Sequence, residues 1–197
     1  MRLKLFGTEI QVTFLFAAII TFMLAADRTG LIVPALIAVF LHELGHLTAM
    51  WLLGCAPKQV RLIPASVQIV RGFTTRRSKE AIIALMGPAV NLVLFAAFYV
   101  NHRAFGNEIS LQYAAVNLII AFFNLLPVTG LDGGTVLFGL LSAKLPLNRA
   151  VLTLQLITAA IGVTVLLTAV ILTKNGIFNL SLYIIGVYLI IMNLIKL

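Results

Sequence analysis

Acidic residues are scarce. Six Asp and Glu stand against fourteen Lys and Arg in 197 residues, and charged residues of every kind make up only 10% of the chain. With 61% hydrophobic residues, so little charge cannot give the polar surface that a water-soluble domain of this length needs, and that class is excluded. A single cysteine, Cys55, excludes an intramolecular disulfide and any metal site built from paired thiolates. No polar stretch is long enough for a separate soluble domain, and neither a repeat nor a low-complexity tract is present.

What is present is a series of apolar runs of near-membrane length: residues 10–26, 31–53, 81–100, 109–126, 150–173 and 177–195. They predict an all-α polytopic membrane protein, a single domain over 1–197 with six transmembrane helices. The net charge of +8 could point to nucleic acid, but its distribution does not. With six spans, eleven of the fourteen basic residues fall on one side: Arg2, Lys4, Lys58, Arg61, Arg71, Arg76, Arg77, Lys79, Lys144, Arg149 and Lys196. Arg28, Arg103 and Lys174 fall on the other. The positive-inside rule then puts both termini in the cytoplasm and the basic loops against anionic lipid, with no nucleic-acid partner. A bacterial cell membrane is the expected location. Arg2 and Lys4 before an apolar segment resemble a signal peptide, yet Leu24-Ala25-Ala26 is a poor cleavage site, so an uncleaved first helix is expected.

Inside the second run stands His42-Glu43-Leu44-Gly45-His46. An ionisable side chain at the centre of a bilayer costs about 3 kcal/mol or more, so three within one turn need a compensating partner. Histidines four apart share a helix face and can reach one Zn2+, and the Glu between them can take a proton from water at the metal.

A catalytic zinc site usually holds three protein ligands. Glu9, Asp27, Glu80 and Glu108 flank the spans, and His102 lies beside Arg103 in a loop, which leaves Asp132 as the third ligand by elimination. Depth agrees, because His46 lies about 10 Å and Asp132 at most roughly 18 Å from basic or helix-end markers on the same side. Residues 124–134, Asn-Leu-Leu-Pro-Val-Thr-Gly-Leu-Asp-Gly-Gly, should break the fourth helix. A break at that depth is tolerated where it lines a wet cavity, which hydrolysis requires. The competing reading of Asp132 is a helix cap before Gly133 and Gly134.

The His42–His46 string, the 124–134 stretch and Gly87-Pro88-Ala89-Val90-Asn91 between them resemble the site-2 protease family of intramembrane zinc metalloproteases (M50). The likeness is strongest to the branch containing the stage IV sporulation protease that cleaves a pro-sigma factor. The resemblance implies one Zn2+ per chain held by His42, His46 and Asp132, Glu43 as catalytic base, and Asn124 positioning substrate or stabilising the oxyanion. It implies a membrane-associated protein substrate and a regulatory membrane partner. No segment has the size of an inserted PDZ or a C-terminal CBS domain, so nucleotide regulation of the sporulation type is not expected.

Asn91 and Asn117 read as ordinary interhelical hydrogen-bonding residues, with a supporting role behind the ligands open for Asn117. Gln155 reads as packing. Gly87-Pro88 would let the third helix bend and approach a neighbour closely. Residues 58–70 have alternating β character around Pro64, which predicts a short β-hairpin or edge strand between the second and third spans, able to capture an unwound substrate as an added strand. The reading from another class is a membrane metal transporter or sensor, for which the Glu inside the histidine pair has no use.

Overall fold

The computed structural model describes residues 2–5, 8–57, 59–63, 66–70 and 77–195. Pro64 lies outside the described residues, as do Lys58, Arg71, Arg76 and Lys196 of the basic set. Residues 1–123 and 124–197 form two compact units.

In the first unit, strands β1 (Arg2–Leu5) and β2 (Thr8–Val12) precede helices α1 (Phe14–Ala26) and α2 (Ile32–Leu52). Strands β3 (Gln59–Ile63) and β4 (Ser66–Val70) follow, then helices α3 (Arg77–Phe105) and α4 (Glu108–Asn124). The four strands form one sheet in the order β1-β2-β3-β4. β1–β2 and β3–β4 are antiparallel, with Leu3 opposite Ile10 and Arg61 opposite Gln68. β2 and β3 run parallel, Glu9 opposite Gln59 and Val12 opposite Leu62, so the α1–α2 pair forms the crossover between them.

The first apolar run is therefore divided. Ile10 to Val12 are bonded into the sheet, and the helix begins only at Phe14, where the Thr13 hydroxyl accepts the Phe16 N–H at 3.3 Å. Between α1 and α2 the Asp27 carboxylate accepts N–H groups from Thr29, Gly30 and Ile32, and the Thr29 hydroxyl, at 2.8–3.0 Å. Those bonds, the Thr29 N–H first, hold its pKa below the usual carboxylate range.

Helices α2 and α3 pack through small residues. A Cβ on Gly45 would stand 2.8 Å from the Met86 carbonyl oxygen and 2.9 Å from Val90 Cγ2, so the two backbones lie too close for any side chain there. Ala49, Met50 and Ile83, flanked by Leu53 and Met86, continue this contact toward the end of α2. Lys79 closes that end by donating from Nζ to the Leu53 carbonyl at 2.9 Å.

The second unit contains α5 (Asp132–Lys144), α6 (Leu147–Lys174) and α7 (Leu180–Ile195). The expected break of the fourth span is present: α4 ends at Asn124 and α5 begins at Asp132. Among the described residues three helices, α2, α3 and α6, are long and apolar enough to cross a membrane, while α1 and α7 are shorter apolar helices. Their outward faces carry large bare hydrophobics such as Phe14, Leu52, Phe105 and Leu156, at 71–88% exposure, an arrangement suited to lipid and unfavourable in water.

Gly45→Leu is expected to lower unfolding stability in detergent by about 1–3 kcal/mol through overpacking against the Met86 backbone. Circular dichroism during denaturant titration would read it.

Candidate metal centre

Ala38, His42, Gly45, His46 and Ala49 are buried along one face of α2, the face that meets α3. His42 is 4% exposed and His46 7%. Their rings meet edge to face, with centroids 4.8 Å apart and planes at 85°. The two Nε2 atoms are 3.1 Å apart. Each ring is held from behind: His42 Nδ1 lies 2.5 Å from Asn91 Oδ1, and His46 Nδ1 lies 2.7 Å from the Ile83 carbonyl oxygen. Both partners are on α3.

This geometry fits a metal. A carbonyl oxygen has no proton to give, so His46 donates from Nδ1 and directs the Nε2 lone pair at the neighbouring ring. Two ligand nitrogens on tetrahedral zinc, each at about 2.0–2.1 Å, stand about 3.3 Å apart, close to the observed spacing. Gly87 leaves the room: a Cβ there would lie 2.7 Å from His42 Nε2 and closer still to His46 Nε2 and Cε1. The point where the donors converge is a place no side chain of α3 can occupy. Imidazole donors suit zinc and other late first-row cations rather than Mg2+ or Ca2+.

Glu43 is half-buried one position along α2. His102 stands near the far end of α3, its Nδ1 3.1 Å from the Asn107 carbonyl oxygen, and serves the α3–α4 turn. Asn91 and Asn117, read from sequence as general interhelical residues, are 0% and 1% exposed and bonded to one another at 2.8 Å directly behind His42. The signal that could have found Asn91 was its spacing: four residues beyond Gly87, it shares that glycine's helix face.

In the second unit, Asp132 is the first residue of α5 and half-buried, with Leu131 in the cap position. It is not the N-cap, but a carboxylate in the first turn is favoured by the helix dipole. The preceding loop folds back onto that turn. A Cβ on Gly133 would collide with the Leu125 carbonyl, and one on Gly134 with the Val128 carbonyl, which explains the Gly-Gly pair. Thr158 of α6, fully buried, accepts the Thr129 N–H at 2.9 Å and donates to the Leu154 carbonyl at 2.9 Å, anchoring the loop. Asn124, half-buried, ends α4. The structure thus brings His42, Glu43 and His46 together on α2, and places Asn124 and Asp132 at the two ends of one anchored loop.

The profile of Peptidase family M50 matches residues 103–169. Stage IV sporulation protein FB of Bacillus subtilis is 32% identical over 119 residues, covering 58% of this chain and 41% of that protein. A zinc metalloprotease of Methanocaldococcus jannaschii is 24% identical over 146 residues, covering 69% of this chain and 43% of that one. The chain therefore spans less than half the length of these two relatives. The solved structure of a site-2 protease from Methanocaldococcus jannaschii shares the fold, with a TM-score of 0.70 at 21% identity over 98% of this chain and 93% of that one.

Gly87→Ala is expected to lower the zinc content of the purified protein well below that of wild type without loss of helical circular dichroism. Wild-type zinc content would show that the rings have room to retreat.

Proposed function

We infer that this relative of Peptidase family M50, the family of the site-2 proteases, is an intramembrane zinc metalloendopeptidase that hydrolyses peptide bonds of membrane-embedded or membrane-tethered proteins. The observation that carries this reading is the pair of buried Nε2 atoms 3.1 Å apart beside a glycine, with a glutamate adjacent on the same helix. Read from sequence, Asp132 supplies the third donor to the metal that His42 and His46 hold, because the other carboxylates outside the histidine string flank the apolar runs. Zinc, when bound, lowers the pKa of water toward about 7 and polarises the scissile carbonyl. Glu43 takes the proton of the attacking water and returns it to the leaving amine nitrogen. Asn124 offers an amide N–H to the oxygen that gains charge or to the substrate backbone.

In this reading 1–197 is one integral-membrane domain, with α1, α4 and α7 crossing in addition to the three longer helices and the termini in the cytoplasm with the basic loops. A regulatory membrane partner is part of the same expectation. Metal transport gains nothing from the comparisons: neither relative above carries a transporter name, and one is named a zinc metalloprotease.

Co-expression with candidate single-span substrates tests the chemistry. Glu43→Gln should reduce metal-dependent cleavage by about 10²–10⁴-fold while retaining zinc, and His46→Ala should lose both. Undiminished cleavage by purified Glu43→Gln protein would exclude Glu43 as the base.

β4 is an edge of the sheet, with β3 its partner. A substrate segment added alongside it would be held extended, its peptide bonds exposed. Successive N–H groups of a strand point to opposite edges, so Val67→Pro and Gln68→Pro remove one bond toward β3 and one toward the open edge. The open-edge variant should lose cleavage and keep zinc; normal cleavage by both would reject strand capture.

A further inference from the structure

We propose that Asn117 and Asn91 form a one-way chain of amide hydrogen bonds that fixes the proton of His42 on Nδ1 and so offers Nε2 to the metal. The inference rests on the reading of His42 as a ligand and extends it to two positioning residues on other helices.

The chain begins at the Tyr113 carbonyl, which can only accept. It takes an N–H from Asn117 Nδ2 at 2.9 Å, which fixes the orientation of that amide. Asn117 Oδ1 then faces Asn91, and it accepts from Asn91 Nδ2 at 2.8 Å. The second hydrogen of the same Nδ2 goes to the Ala38 carbonyl of α2 at 3.1 Å. Both donors of Asn91 are thereby committed to acceptors, and its Oδ1 is the atom left for His42. An amide oxygen must receive a proton, so the imidazole donates from Nδ1, and Nε2 carries the lone pair.

Reversal is closed off at each step. Turning Asn91 would set its oxygen against the Ala38 and Asn117 oxygens, and turning Asn117 would set its oxygen against the Tyr113 carbonyl. Both asparagines are sealed from solvent, at 0% and 1% exposure, so water cannot relieve such a contact. Three helices contribute to one proton position: α4 through Asn117, α3 through Asn91 and α2 through Ala38 and His42. His46 reaches the same tautomer by a shorter route, the Ile83 carbonyl at 2.7 Å.

The chain has three histidines, so 15N-histidine labelling of the full-length protein in detergent gives a resolvable set of ring signals. Wild type, chelated and then reloaded with Zn2+, is expected to keep the His42 proton on Nδ1 in both states. A His42 proton on Nε2 in the chelated protein overturns the proposal, and no variant is needed to see it.

Two substitutions separate positioning from packing. Asn91→Leu and Asn91→Asp both give up the bonds to Ala38 and Asn117, but only Asp keeps an acceptor for His42. In equilibrium dialysis with Co2+ as the probe, Asn91→Leu should bind about 10–100-fold more weakly than wild type, with Asn91→Asp recovering most of that loss. Equal losses in the two variants would reduce Asn91 to packing and overturn the assignment. These readouts concern ring protons and metal affinity. Failure of the protease reading would show elsewhere, as absent cleavage by zinc-loaded wild type with both results intact.

Discussion

Two imidazole nitrogens facing one another at 3.1 Å between apolar helices are the contact on which the rest of the structure depends. With both Nδ1 atoms donating, each Nε2 presents a lone pair to the other, and low dielectric enlarges their repulsion. A divalent cation relieves it and is held by the very atoms that otherwise repel. The arrangement is a poor solution for a histidine pair whose role is packing and a good one for a pair that binds metal.

The surrounding helix contact is organised by this requirement. α2 and α3 must come close enough for Asn91 and the Ile83 carbonyl to reach two rings on α2, and Gly45 against the Met86 backbone sets that distance. Gly87, one residue further along α3, keeps the converging nitrogens uncovered. Polar groups placed at such depth are costly unless each is engaged. The Asn117–Asn91–His42 series meets that condition, each amide satisfying the next instead of calling on water. The loop before Asp132 meets it too, with Thr158 accepting from the Thr129 backbone where the helix ladder is interrupted.

The histidine string was legible because helical periodicity alone puts residues 42 and 46 on one face, and the break at 124–131 was legible because a proline and a glycine interrupt an apolar run there. Asp132 emerged by elimination in a chain so poor in acid. Asn91 was visible as a residue but not as a partner of His42, since that bond depends on how α3 is rotated against α2. Periodicity gives a face without saying which neighbour it meets. β1 and β2 went unseen for a related reason: Ile10 to Val12 continue smoothly into the apolar run, and only pairing with β3, 50 residues away in the register of Ile10 with Val60, draws them out of the helix.

That parallel pairing constrains the membrane topology independently of charge. If the sheet lies at one face of the membrane, β2 and β3, being hydrogen-bonded neighbours, lie on the same side. If α2, with its 21 residues, crosses once, the chain must cross once more between β2 and β3, and α1 is the only helix available among the described residues of that stretch. Its 13 residues reach only about 20 Å against a hydrocarbon thickness of about 30 Å. On that topology the bilayer beside α1 would thin, or the polar ends at Thr13 and Asp27 would draw headgroups and water inward. α1 immediately precedes the histidine helix in the chain, so on this topology the mismatch that sequence hydropathy conceals falls next to α2 in sequence.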